Sequence, residues 1–134
     1  MRDFTFYTSR PMLLTDCYND IKKEIKHVGR TKPSSEFQQC SMTKGEWRWY
    51  LWFYNERFDD YVDFYEPEEF EAEKSLIPIK DPYLNHFESY RSDEVKSVLK
   101  VLMQIYPELY VSADEDDPEW YGTAQEYIDT EFDY

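Results

Sequence analysis

The chain has few side chains that could act together as nucleophiles, proton-transfer groups or metal ligands. It has two histidines and two cysteines, and neither pair has the spacing of a metal or redox motif. His27 falls late in a predicted basic helix, His86 falls in a predicted loop, and Cys17 lies on an apolar helical stripe. No glycine-rich phosphate loop or nucleophile-elbow pattern is present. The sequence therefore predicts a non-enzyme with no catalytic residue, no metal site and no cofactor.

Carboxylates are the abundant reactive groups, and they are unevenly distributed along the chain. There are 29 Asp and Glu against 15 Lys and Arg, which gives a net charge of −14. Residues 1–55 carry a net charge of +3 and residues 56–134 carry −17, and 108–134 contain ten acids and no Lys or Arg. Such a field repels nucleic-acid backbones and anionic membranes. It predicts a basic protein as the partner.

Two other roles for these carboxylates are a pair of catalytic acids and a calcium-binding loop. Asp59, Asp60 and Asp63 could include an acid/base pair, but nothing singles out two of them. Residues 114–117 lack the glycine and terminal glutamate of a helix–loop–helix calcium site. A solvated acidic face is the simplest alternative to a functional surface.

Two acidic blocks, residues 56–73 and residues 108–134, interleave carboxylates with aromatic rings. Tyr and Trp anchor protein interfaces, and a rim of carboxylates steers and pairs a basic partner. The predicted partner-binding residues are Asp59, Asp60, Asp63, Glu66, Glu68, Glu69, Asp114, Glu115, Asp116, Asp117, Trp120 and Tyr121.

A strand over residues 47–54 is predicted to organise the elements that position these side chains. Seven of its eight residues are aromatic or aliphatic, and no Gly or Pro interrupts it, which favours a strand near the middle of a sheet. Strand alternation predicts a core face and an amphipathic face that can lie under a partner. The core face comprises Trp47, Trp49, Leu51 and Phe53, and the amphipathic face Arg48, Tyr50, Trp52 and Tyr54.

The remaining pattern predicts strands over 4–8, 36–42, 58–65 and 109–113 and helices over 12–28 and from Ser92 to about Tyr106. Ser9 and Gly29 are predicted to cap the first helix, and a turn at 43–45 to join 36–42 to the aromatic strand. A turn is expected at 55–57, a short helix or irregular segment at 67–73, an edge strand at best at 76–79 and a loop at 81–90. A last helix of about ten residues is expected to follow Pro118 and to carry Trp120 and Tyr121.

This order, β-α-β-β-β-α-β-α, predicts an α+β fold with a mainly antiparallel sheet and about three helices packed on one face. Length and composition predict a single domain over residues 1–134. No signal peptide or apolar run of 18 residues is visible, so we expect a cytoplasmic protein that binds no membrane.

In size, acidity, α+β order and aromatic content, the chain resembles the bacterial immunity proteins of contact-dependent growth inhibition and related polymorphic toxin systems. The resemblance implies a tight complex with a cognate toxin domain, often a nuclease, whose basic groove is covered by acidic side chains. The charge argues against direct binding to nucleic acid, and a monomer is favoured over an oligomer.

Two other functions fit parts of the same pattern. A phage-type nucleic-acid mimic that blocks a restriction or CRISPR effector would need rows of acids with phosphate-like spacing. A small ligand-binding or regulatory domain would need a deep apolar pocket, for which the region of Trp49 and Trp52 is the candidate.

Overall fold

The computed structural model describes residues 2–25, 28–29, 39–44, 47–57, 66–89, 92–113 and 120–130. The helices are α1 (Leu14–Ile25), α2 (Pro67–Ser75), α3 (Ser92–Ile105) and α4 (Ala124–Ile128). The strands are β1 (Arg2–Thr8), β2 (Val28–Gly29), β3 (Gln39–Lys44), β4 (Trp47–Trp52), β5 (Glu56–Arg57), β6 (Tyr83–Ser89), β7 (Tyr110–Ala113) and β8 (Trp120–Thr123).

The strands form one sheet in the order β2-β3-β4-β6-β1-β7-β8, and β5 pairs with β6 beside this path. All described pairings are antiparallel. The longest pairing aligns β1 with β6 from Arg2 opposite Ser89 to Thr8 opposite Tyr83. The α+β class and the mainly antiparallel sheet predicted from the sequence are confirmed.

One face of the sheet is covered by α1, α3 and α4. Alternation along β1 directs Phe4 and Phe6 to this face, where the Phe6 and Phe87 rings stack at 6.0 Å. The apolar stripes of α1 and α3 pack on these rings and make one continuous core. Three helices therefore lie on the sheet as expected, and α2 is an additional element.

The opposite face has a smaller apolar cluster. Tyr7 from β1 and Leu84 from β6 point to this side, and Ile77, from the segment after α2, packs against both. The segment that contains Ile77 is not a strand, so the edge strand considered at 76–79 is wrong. Its role is instead to fix the end of α2 to the sheet.

The loop predicted at 81–90 is also wrong, because residues 83–89 form β6, which lies between β4 and β1. Asn85, a residue typical of turns, is 1 % exposed there and is accommodated by hydrogen bonds. The backbone N–H of Asn55 donates to Asn85 Oδ1 at 2.8 Å, and Asn85 Nδ2 donates to Asn55 Oδ1 at 2.9 Å. This pairing bridges 30 residues of chain, which a local pattern does not reveal.

The predicted last helix is a strand followed by a shorter helix. Trp120 and Tyr121 belong to β8, which pairs with β7, and α4 covers only Ala124–Ile128. Thr123 begins α4 with a capping box, since its Oγ1 accepts from the Glu126 N–H at 3.1 Å and its N–H donates to Glu126 Oε1 at 2.9 Å. Reciprocal capping at Thr123 fixes where the strand gives way to the helix.

The first helix is shorter at both ends than predicted. It begins at Leu14, so Ser9 does not cap it, and Ser9 Oγ instead donates to Glu108 Oε1 at 2.9 Å. Val28 and Gly29 pair with β3 as β2, so Gly29 is not a helix C-terminal residue. Strand pairing at Val28 therefore overrides its place on the helical stripe.

The aromatic strand lies inside the sheet, with β3 on one side and β6 on the other, as predicted. Phe53 is buried and Tyr54 is 69 % exposed, in agreement with their predicted faces. The side chains of residues 47–52, and the strand expected at 58–65, lie outside the described part of the chain. The turn expected at 55–57 is wrong in part, because Glu56 and Arg57 pair with β6.

Candidate partner-binding surface

The acidic helix α2 displays predicted partner-binding residues on the described surface. Pro67 occupies its first turn, where its missing N–H costs nothing, and the first-turn acids Glu68 and Glu69 complement the helix dipole. Lys74 lies in the last turn, where a cation is favoured. The sequence was compatible with either a short helix or an irregular segment at 67–73, and the structure shows a helix there.

Four carboxylates on and beside α2 face solvent, whereas Glu73 is half-buried. Glu66, Glu68, Glu69 and Glu71 are all exposed, as are Ala72 and Ser75. Within the described ranges, α2 has no extensive contact with another helix or strand. Among the described side chains, none from α2 belongs to the buried clusters, and four carboxylates on and beside it are accessible to a partner.

The α2 helix is attached at its C-terminal end. The Leu76 N–H donates to the Glu73 carbonyl at 3.1 Å and the Ile77 N–H to the Lys74 carbonyl at 3.3 Å, and the Ile77 side chain packs in the cluster on the sheet face opposite α1, α3 and α4. The exposed glutamates are therefore displayed beside the face that α1, α3 and α4 do not cover.

The other predicted site residues are divided between the sheet and the undescribed ranges. Asp59, Asp60, Asp63, Asp114, Glu115, Asp116 and Asp117 lie outside the described residues. The structure thus places Glu66, Glu68 and Glu69 together on or beside α2, and Trp120 and Tyr121 on β8.

The half-buried Trp120 ring has a structural role. It meets the Tyr127 ring edge-on at 5.3 Å and lies over Gly122, where an added Cβ would be 2.6 Å from Trp120 Cη2. Tyr121 points to the other face of the sheet, opposite Ser112. Only Tyr121 of this pair therefore shares a face with the cluster that holds α2.

A polar row that the sequence reasoning missed crosses the uncovered face. Strand register aligns His86, Thr5, Ser112 and Tyr121 across β6, β1, β7 and β8. Thr5 Oγ1 and His86 Nδ1 are 3.3 Å apart, and the buried Tyr7 hydroxyl is 3.0 Å from Ser112 Oγ. Residues 83–87 do not alternate between apolar and polar side chains, so no local period predicted this row.

The row does not have the geometry of a nucleophile–base pair. His86 and Ser112 are two strands apart, about 10 Å at the usual strand spacing, so the imidazole cannot take a proton from Ser112 directly. Thr5 is within reach of His86, but both lie on an open sheet surface. The arrangement suits contact with a partner better than enclosed chemistry.

The carboxylate of Glu108 joins the end of α3 to the chain after β1. Burial acts to raise the pKa of Glu108, but hydrogen bonds from its own N–H and from the Ser9 hydroxyl and N–H, with Arg10 nearby, bring that pKa below its usual value. Arg10 also lies over the Tyr106 ring, 4.8 Å from its centroid. These contacts stabilise the scaffold and do not converge on a cavity.

A shallow groove of about 460 Å³ lies among α1, α3 and α4. Its lining comprises Glu24, Lys100, Met103, Gln104, Gln125 and Ile128. Gln125 Nε2 donates to Asp129 Oδ1 at 3.0 Å, so this amide is already engaged. The mixed lining differs from the deep apolar pocket expected of a ligand-binding domain.

Among the described residues, no group of three or more His, Cys, Asp or Glu side chains is arranged to hold a metal ion. None of the described helices has the length and apolar character that crossing a bilayer requires. Cys17, the one cysteine whose side chain is described, is fully buried on α1. Its position in the core agrees with the apolar stripe predicted from the sequence.

Comparison of the chain with protein-family models, with curated proteins and with solved structures finds no match.

Proposed function

We propose that the chain inhibits a basic protein by binding it, in the manner of the bacterial immunity proteins that neutralise toxin domains. The observation that carries this proposal is the exposure of Glu66, Glu68, Glu69 and Glu71 on and beside a helix whose described side chains lie outside the buried clusters. A cluster of like charges repels itself, so its display on a separate helix favours a binding role.

The proposed partner is a toxin domain, and a nuclease fits best. A nuclease binds phosphates through Lys and Arg, and glutamates of α2 would take the place of those phosphates. The net charge of −14 speeds encounter with a positive surface. In this proposal the charged groups set the association rate, and buried contacts nearby set the dissociation rate.

The distribution of described bases supports α2 rather than α1 as the contact. Lys22 and Lys23 are exposed in the last turn of α1, on the helix-covered side of the sheet. Three exposed acids of α1 offset these lysines, whereas α2 has four glutamates and one lysine, so a basic partner would be attracted more strongly at α2. The proposed working form is a cytoplasmic monomer, because like-charged copies repel each other.

The test uses the protein encoded by the toxin reading frame next to the gene as the ligand in surface plasmon resonance. We expect binding with an association rate that falls steeply as salt is raised from about 0.05 to about 0.5 M, since screening shortens the range of the field. Replacement of Glu68 and Glu69 by lysine should weaken the complex on the order of tenfold, mainly through association.

The matched control is the double variant Asp20→Lys/Glu24→Lys on α1, which changes the net charge by the same amount at two other exposed acids. It should weaken binding much less than the α2 variant. Equal effects of the two variants would contradict α2 as the contact, and absence of binding or binding indifferent to salt would contradict the proposed function.

A further inference from the structure

Two exposed apolar side chains lie beside one hydrogen-bonded junction at an end of the sheet. Tyr54 is 69 % exposed and Leu13 is 44 % exposed. The third large apolar residue exposed on the described surface, Leu76 at 51 %, follows α2. Exposed aromatic residues of this size are common at the centres of protein interfaces.

The junction is formed by the side chain of Asn55 and the backbone of Met12. The Met12 N–H donates to Asn55 Oδ1 at 2.7 Å, and Asn55 Nδ2 donates to the Met12 carbonyl at 2.9 Å. Asn55 has a left-handed backbone with φ of 53°, held by its bonds to the buried Asn85. Tyr54 and Leu13 are the immediate chain neighbours of these two residues.

The backbone that presents both side chains is therefore fixed before any partner arrives. The N–H of Leu13 is also held, since it donates to the Tyr106 hydroxyl at 2.8 Å. A rigid backbone lowers the conformational entropy lost when exposed side chains are ordered on binding. This distinguishes Tyr54 from an aromatic residue on a loose loop.

The chain already places guanidinium groups on tyrosine rings at Arg10 and Arg57, each two residues along the chain from Met12 or Asn55. Arg10 lies 4.8 Å from the centroid of Tyr106, and Arg57 lies 4.3 Å from that of Tyr83. The exposed ring of Tyr54 offers the same surface to a cation from outside. Asp16 and Glu56 also lie close in the chain, and they offset the charges of Arg10 and Arg57 there.

The charge of the molecule selects the occupant. A second copy would bring another net charge of −14 to the patch and is opposed by repulsion. A basic segment is attracted, and arginine stacks on aromatic faces more readily than lysine because its guanidinium is planar and weakly hydrated.

We propose that Tyr54 receives an arginine side chain from the basic partner, with Leu13 in contact with the aliphatic part of the same segment. The inference takes its partner class from the proposed function and adds the residue that is recognised.

The test measures binding of hexa-arginine and hexa-lysine peptides by NMR titration at low salt. Tyr54→Ala should weaken hexa-arginine binding about two- to fivefold, the effect of one exposed cation–π contact. Tyr54→Phe should keep wild-type binding, because the ring remains, and hexa-lysine should bind more weakly and respond less to Tyr54→Ala.

Leu76→Ala removes a comparably exposed apolar side chain elsewhere and should leave hexa-arginine binding unchanged. Because Tyr54 is exposed, Tyr54→Ala should keep the thermal unfolding midpoint of the wild-type protein. In the wild-type protein, the NMR resonances of Tyr54 and Leu13 should shift when hexa-arginine is added. Equal binding by Tyr54→Ala, equal loss in Leu76→Ala, or absence of these shifts would overturn the proposal. If the wild-type protein does not bind the toxin domain but binds hexa-arginine as expected, the proposed function is contradicted and the arginine site at Tyr54 is still supported.

Discussion

On the helix-covered face of the sheet, twenty buried residues of the described chain form one continuous core, whereas the opposite face has a cluster of three buried side chains. Aromatic rings and aliphatic stripes fill the first face. The second combines that cluster with hydroxyls, an exposed imidazole and the attachment of an acidic helix. Among the described residues, apolar burial is therefore concentrated on one side of the sheet, and truncations there are expected to cost more stability.

The largest expected effect is the difference in unfolding free energy between truncations of buried side chains on the two faces of the sheet. Phe6→Ala removes a fully buried ring from the helix-covered face and should lower the free energy of unfolding by about 3–5 kcal/mol. Ile77→Ala, in the smaller cluster, should cost about 2 kcal/mol because the site borders solvent and can partly collapse. Urea unfolding measures both, and equal losses would contradict an unequal division of stability.

A smaller effect is expected from the buried hydroxyl pair of the uncovered face. Tyr7→Phe removes the hydrogen bond between the Tyr7 hydroxyl and Ser112 Oγ and should cost about 1 kcal/mol of unfolding free energy. Ser112→Ala is the matched variant from the other side of the same bond. If neither changes the urea midpoint, the hydrogen bond between these two buried hydroxyls adds nothing to stability.

The smallest effect concerns acid sensitivity at the rim of the helix-covered face. Because the folded-state pKa of Glu108 is lowered, its contribution to stability is present above the unfolded-state pKa of about 4.3 and is lost as the pH falls through the folded-state pKa. Between about pH 5 and pH 2 the wild type should therefore lose more stability than Glu108→Gln. Parallel pH profiles of the two proteins would contradict this role.

The sequence was informative where one local period governs an element. The stripes of α1 and α3, the alternation of β1 and the position of β4 inside the sheet all follow from it. Glu66, Glu68 and Glu69 of the candidate surface were named from the sequence, but Glu71 was not, and their segment was left undecided between a short helix and irregular chain.

Elements whose stability comes from distant chain were missed. Asn85, His86 and Glu88 made β6 look like a loop, yet it is held by pairing with β1, about eighty residues earlier. Trp120, Ala124 and Tyr127 have helical spacing, but pairing with β7 makes the first of them part of a strand. The local signal that could have separated β8 from α4 was the Thr123-Ala124-Gln125-Glu126 capping box.

That capping box also affects how copies of the protein meet one another in concentrated solution. β8 is the last strand at its side of the described sheet, and such a border can template the growth of chains into fibrils. Glu126 already accepts the N–H of Thr123, so an invading strand finds that donor taken and meets a carboxylate in its place. A four-residue border with one donor occupied by an acid is a poor seed for aggregation.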